Sequence, residues 1–253
     1  MRVFAVSDVH LDYDENARWL SGLSTSDYRE DILILAGDAS DSLDLLDSCF
    51  HCLTSRFRKV LFVPGNHELW VTRDGRHATS MAKFESVCAV VARYDVSMQP
   101  FHCGSLSIVP LLAWYDYTFG PPHRDLQAAW TDYRACRWPG DASVYDVASH
   151  FLDVNESALQ TRNTTVMSFS HFLPRIDLMP AEVPIDKRLL YPILGTTRLE
   201  TQIRRLCPTV HVYGHSHLNR RVTIDGVCYI NNAYGYPSET RIAAKRLMCV
   251  YGD

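Results

Sequence analysis

Short apolar runs punctuate the first third of the chain: Val3-Phe4-Ala5-Val6, Ile32-Leu33-Ile34-Leu35 and Val60-Leu61-Phe62-Val63. Runs of this length, without polar alternation, read as strands covered on both faces; they predict strands at 2–6, 32–36 and 60–63. Between them apolar residues return at helical spacing. A helix is expected over 14–23, another over 41–57 with Leu43, Leu46, Phe50 and Leu53 on one face, and a third over 78–93 with Met81, Phe84, Val87, Cys88 and Val91. Alternation of strand and helix implies parallel strands joined by right-handed crossovers. The second half carries more strand signals, at 105–113, 165–169, 209–213, 221–224, 227–231 and 246–251, with a helix over 195–206. Asp225-Gly226 separates two of these strands as a two-residue hairpin turn. The pattern fits an α/β fold with two mixed β-sheets packed as a sandwich and flanked by helices.

Residues 114–146 break the rhythm. Trp114, Tyr115, Tyr117, Phe119, Trp130, Tyr133, Trp138 and Tyr145 stand among prolines and few aliphatics. A long irregular segment of this kind is usually functional or a lid. No repeat, low-complexity tract or linker divides the chain, so residues 1–253 are expected to form a single domain with an aromatic-rich insertion at about 114–146.

Composition narrows the classes. The 253 residues include 47% hydrophobic ones, ordinary for a chain with a proper core, and a formal net charge of −4. That charge argues against general nucleic-acid binding or attachment to an anionic membrane. No apolar stretch reaches bilayer length, and the first strand begins at Arg2, leaving no room for a leader. The eight cysteines are scattered, several in apolar or helical settings, as free thiols are in reducing compartments. A cytoplasmic protein is expected; no feature sets an oligomeric state.

The candidate chemistry lies just past the predicted strands. Asp8-Val9-His10 puts two donors two residues apart. Gly37-Asp38 sets a carboxylate on a tight turn, with Asp41 following. Gly65-Asn66-His67-Glu68 brings an amide and an imidazole, His171 stands alone after a strand, and Gly214-His215-Ser216-His217 adds two imidazoles. Donors placed beyond strand ends converge on one rim of a sheet, where α/β proteins bind ligands. Imidazole, carboxylate and amide together suit manganese, iron or zinc rather than a purely soft ion.

In this order the five segments resemble the signature of the calcineurin-like metallophosphoesterase superfamily, matched without a gap from residue 8 to residue 217. The resemblance implies that Asp8, His10 and His217 hold one divalent ion and Asn66, His171 and His215 a second, with Asp38 bridging both. It implies that His67 is no ligand but faces the substrate as general acid, with Asp41 orienting it. The reaction implied is hydrolysis of phosphate esters by direct attack of a metal-bridging hydroxide, with inversion at phosphorus. The two ions would be Mn, Fe or Zn, with Mn or Fe first.

The substrate is less marked. Trp114 and Tyr115, with Tyr117 and Trp130, are candidates for stacking on a base or an apolar leaving group, and Arg175 for an additional anionic group, as are Arg124, Arg134 and Arg137. The intact ligand set and acidic charge favour a phosphorylated small molecule or a phosphoprotein as substrate. A cyclic-nucleotide or nucleic-acid phosphodiesterase is the alternative, and a non-catalytic scaffold of the same fold ranks below it. Glu68 reads as a helix-start acid, His211 as a structural residue within a strand, and Cys49/Cys52 as one face of a helix rather than a redox pair.

Overall fold

The computed structural model describes residues 1–73 and 75–252. Its first half runs β1 (Val3–Val6), α1 (Asp14–Ser21), β2 (Ile32–Ala36), α2 (Leu43–Thr54), β3 (Lys59–Val63), α3 (Ser80–Val91) and β4 (Val96–Ser97). After β5 (Phe101–Cys103) and β6 (Leu106–Pro110) come three helices, α4 (Arg124–Ala129), α5 (Asp132–Ala135) and α6 (Val144–Val154). The chain continues through β7 (Thr165–Phe169), α7 (Thr197–Leu206), β8 (Val210–Tyr213), β9 (Arg220–Ile224), β10 (Val227–Asn231) and β11 (Met248–Tyr251).

One sheet has the order β11-β1-β2-β3-β4 and the other β5-β6-β7-β8-β10-β9. Within the first, β1 to β4 are parallel and β11 returns antiparallel beside β1. In the second, β6, β7, β8 and β10 are parallel, with β5 and β9 as antiparallel edges. The central strands of the first sheet divide their side chains between two cores, as period-two geometry requires. Val3, Ala5, Ile32, Ile34 and Leu61 join Ile108, Met167, Phe169 and Val212 between the sheets. Phe4, Val6, Leu33, Leu35, Val60 and Phe62 face outward onto Leu46, Cys49, Phe50 and Leu53 of α2 and Val87 and Val90 of α3. On the opposite side Val109 and Val166 meet Leu199, Ile203 and Leu206 of α7. The result is the expected sandwich of two mixed sheets between helices.

The hairpin turn is as read: Ile224 pairs with Val227, and Asp225 and Gly226 take φ of 48° and 83°. The aromatic segment differs from its expected irregular form. Trp114, Tyr115 and Leu126 belong to the main core, with Trp138 packed edge-on to Trp114 at 5.0 Å. α6 starts with a capping box in which Ser143 and Asp146 bond reciprocally. Among the described residues no helix is long and apolar enough to cross a membrane, and all eight cysteines are free thiols.

Candidate metal centre

The seven candidate donors follow the C-terminal ends of five parallel strands: Asp8 and His10 after β1, Asp38 after β2, Asn66 after β3, His171 after β7, and His215 and His217 after β8. The sheets are joined at this rim. Ser7 donates to the carbonyl of Asn232 (3.2 Å), Tyr234 to that of Ser7 (2.8 Å) and Gly235 to that of Asp8 (2.9 Å). Asp8, His10, Asp38, His215 and His217 all have positive φ, five of the nine non-glycine residues that do so among the described ones. Such a conformation costs about 1–3 kcal/mol each and persists where the surroundings over-determine it, so the strain is concentrated at the cluster.

Two motif glycines are required by close approach. A Cβ on Gly37, whose φ is 84°, would lie 2.5 Å from Nδ1 of His171. One on Gly65 would overlap the Asp38 carboxylate and lie 2.7 Å from Cε1 of His171.

Backbone and carboxylate acceptors set the imidazole tautomers. A carbonyl only accepts, so His171 Nδ1 donates to Ala36 O (2.9 Å) and His215 Nε2 donates to Ile193 O (3.1 Å). Their remaining nitrogens, His171 Nε2 and His215 Nδ1, face each other at 3.0 Å, with Asn66 Oδ1 3.2 Å and Asp38 Oδ2 3.5 Å from His171 Nε2. His217 Nδ1 lies 2.6 Å from Glu239 Oε2, which leaves Nε2 directed at His10 Nε2 (3.0 Å) and Asp8 Oδ1 (3.3 Å). Opposed lone pairs at such spacing need a proton or a cation between them. The separations suit neighbouring ligands around an ion with bonds of about 2.0–2.2 Å.

Buried carboxylates add to the site. Asp8, Asp38, Glu68 and Asp132 are all buried, and among the described residues no Lys or Arg side chain forms an ion pair with them. Burial together with Glu68 and Asp8 pushes Asp38 well above the usual carboxylate range. Burial also opposes ionisation of Asp8, but contact with His217, His171 and His10 outweighs it and holds the group far below that range. Burial works against the charged form of His217, yet Asp8 and Glu239 bring it up to about 9. Burial and imidazole neighbours lower His10 and His215. Among the described residues three groups of donors have ligand atoms within 4.8 Å of one another: Asp8, His10 and His217; Asp38, His171 and His215; and His10, Asp38 and His67. Asp38 thus shares one group with His171 and His215 and another with His10, and the residues present fit divalent cations.

Several supporting residues escaped the sequence reading. Glu68 is no mere helix-start acid: its oxygens accept the backbone N–H groups of Asp38 (3.0 Å), Ala39 (2.7 Å), Ser40 (3.2 Å) and Gly65 (2.7 Å). It ties the β2 and β3 loops together beneath the cluster. Glu68→Gln should turn an amide N–H₂ towards two of these donors and cost on the order of 2–3 kcal/mol, measured by urea unfolding. Asp132 accepts Asn66 Nδ2 (2.9 Å), Trp70 Nε1 (2.7 Å) and Trp130 Nε1 (2.7 Å), which turns the Asn66 oxygen towards His171. Such outer partners orient ligands and tune a metal site. Trp70 stacks on His67 at 3.7 Å between ring centroids, and Tyr236 on His10 at 4.5 Å.

Three substrate candidates are corrected. Trp114 is fully buried and Tyr115 is 2% exposed, so neither offers a face to a ligand. The abundance of apolar neighbours, including Phe172 at 5.1 Å from Trp114, makes them core. Arg175 is committed to Asp177, Glu200 and Asp225, near the β9–β10 turn. Of the aromatic segment it is Trp130 that reaches the centre, edge-on to His215 at 5.9 Å. Asp41 pairs with Arg73 and lines an open pocket with His67. His211 is structural as read, buried between the hydroxyls of Ser168 (2.8 Å) and Ser170 (3.1 Å).

Comparison with known proteins agrees with this geometry. A model of the family described as calcineurin-like phosphoesterase matches residues 1–219. The [acyl-carrier-protein] phosphodiesterase PptH of Mycobacterium tuberculosis is 28% identical over 264 residues, covering 94% of this chain and 79% of that protein. The crystal structure of phosphopantetheinyl hydrolase (PptH) from Mycobacterium tuberculosis superimposes with a TM-score of 0.79 at 25% identity, covering 100% of this chain and 96% of that one.

Proposed function

This chain belongs to the calcineurin-like phosphoesterase family, a metal-dependent group of phosphate-ester hydrolases, and we propose that its substrate is a phosphodiester carrying a pantetheine-type arm on a carrier protein. The observation that carries the proposed chemistry is the facing of His171 Nε2 on His215 Nδ1 and of His10 Nε2 on His217 Nε2, each pair at 3.0 Å, with Asp38 grouped with the first pair and with His10 of the second. Asp8, His10 and His217 would hold one ion, Asn66, His171 and His215 the other, and Asp38 both. When bound, two divalent ions (Mn, Fe or Zn) supply Lewis-acid charge and a water acidic enough to react at neutral pH.

The side chains do the rest. Glu68 and Asp132 fix the loops bearing Asp38 and Asn66, so the ligands are placed before substrate arrives. His67 projects into the open side, stacked on Trp70, with its backbone N–H held by Asp38 Oδ1 at 3.0 Å. Burial, then His171 and His217, pull its pKa down to about 3, so the ring is neutral at pH 7 in the free protein. A neutral ring donates a hydrogen bond to a leaving oxygen, and an approaching phosphate anion favours the protonated form that gives up a proton. Asp41, on the same pocket wall, is the residue proposed to orient it.

The arm-bearing substrate is supported by the PptH relative's own description and by a chain-wide likeness to it. The test is hydrolysis by Mn²⁺-loaded protein of bis-p-nitrophenyl phosphate, p-nitrophenyl phosphate and a phosphopantetheinylated carrier protein. Loss of the arm's mass from the carrier, with the diester cleaved faster than the monoester, is expected. Preference for the monoester, with the carrier untouched, would return the reading to a phosphatase of small molecules or phosphoproteins.

A further inference from the structure

Three cavities meet at the metal centre. The central one, about 200 Å³, is bounded by Asp38, Asn66, His67, His215 and His217. On one side it shares His67 and Tyr236 with an open pocket of about 300 Å³ that Asp12, Tyr13, Asp41 and Arg73 also line. On the other it shares Trp130, Leu190, His215, Ser216 and Glu239 with a cleft of about 570 Å³. These common walls make one trough through the centre, and its two ends differ in chemistry. The first end is charged. The second is walled mainly by apolar groups, Met179, Pro180, Val183, Tyr191, Leu218 and Ile242, with Glu182 and Lys187 also on its lining.

The cleft is a built feature. Its outer wall is the strap between β7 and α7, with 3₁₀ turns at Ile176–Leu178 and Lys187–Ile193. The strap is anchored where Leu173 and Leu194, and then Thr196 and Leu173, bond through their backbones (2.9 and 3.1 Å). Arg188 closes its turn by donating to Val183 O (3.0 Å) and Ala181 O (2.7 Å). Ile242, on the facing wall, is 41% exposed, an apolar side chain left without cover. A cleft of this size falls within the range of about 300–1,000 Å³ usual for small-molecule sites.

The geometry points to this cleft as the seat of an elongated, uncharged substituent of the substrate phosphate, an amide- and alkyl-containing arm of the pantetheine class, which passes between Trp130 and Leu190. The other ester substituent then faces His67 and the charged end. Glu239 stands at the passage: its Oε2 is occupied by His217 Nδ1 (2.6 Å) and Tyr236 N (2.7 Å), while Oε1 makes no hydrogen bond among the described residues. That oxygen is the acceptor for an amide N–H or hydroxyl of the arm, and the apolar walls take its alkyl part. This inference rests on the phosphodiester reading but is tested separately from it.

Free pantetheine, which has the arm but no phosphate, is titrated calorimetrically into metal-loaded protein. Binding is expected, weakened at least about tenfold by Val183→Asp and by Met179→Asp, since each replaces an apolar contact of the arm with a carboxylate that resists desolvation. The same variants should lower the ratio of kcat/KM for phosphopantetheinylated carrier over bis-p-nitrophenyl phosphate by about tenfold or more, through KM. Both residues are partly exposed, and a ratio is read only from active protein. No pantetheine binding to the wild type, or an unchanged ratio in both variants, overturns the cleft assignment. Pantetheine binding without hydrolysis of either diester would leave the cleft standing and sink the diesterase reading.

Discussion

Asp38→Asn is expected to purify with less than about one metal ion per chain and to lose turnover by about 10³-fold or more. Asp38 Oδ1 is engaged by the backbone N–H of His67 at 3.0 Å, which leaves Oδ2 near His171 Nε2 and His67 Nε2 at 3.5 and 3.8 Å. Asp38 is grouped with His171 and His215 on one side and with His10 on the other, and an amide in its place removes the negative charge both cations would share. Misfolding would give the same loss of activity, but the pKa direction separates the two. Burial, Glu68 and Asp8 make a charged Asp38 unfavourable in the metal-free protein, so neutral Asn should leave its Tm unchanged or raised. The rise in Tm on adding Mn²⁺, present in the wild type through mass action, should disappear. A variant that keeps that rise would show that Asp38 bridges nothing.

His67→Ala should do the reverse. Metal content stays at the wild-type level while kcat falls by about 10²–10⁴-fold. His67 also lies in a donor group with His10 and Asp38, so metal content is the deciding readout for its role. The loss should depend on the leaving group. An alkyl alcohol needs a proton as it departs and p-nitrophenol hardly does, so the defect should be large on the carrier-protein ester and several times smaller on bis-p-nitrophenyl phosphate. Equal defects on both, or an emptied centre, would take the acid role away from His67.

The fold and the clustering of the candidate donors were legible in the chain because the motifs are local. Each donor follows an apolar run, and β1, β2, β3, β7 and β8 bring those run-ends to one rim. The supporting shell is not local. Asp132 meets Asn66 across 66 positions and Glu239 meets His217 across 22, and neither lies in a motif, so spacing gives no signal for them. Glu68 was within a motif, but its role depends on the chain 28–30 residues earlier doubling back to present N–H groups. Trp114 and Tyr115 were misplaced because an aromatic residue reads alike in a core or on a binding face. α6 could have been found: Ser143 and Asp146 form the Ser-x-x-Asp start that precedes it. β4 and β5, of two and three residues, are too short to carry a period.

The most direct test is anomalous diffraction from crystals grown with Mn²⁺. Two peaks are expected about 3.5–4 Å apart, one contacting Asp8, His10 and His217, the other Asn66, His171 and His215, with Asp38 touching both. A single peak, or two that do not share Asp38, would contradict the account.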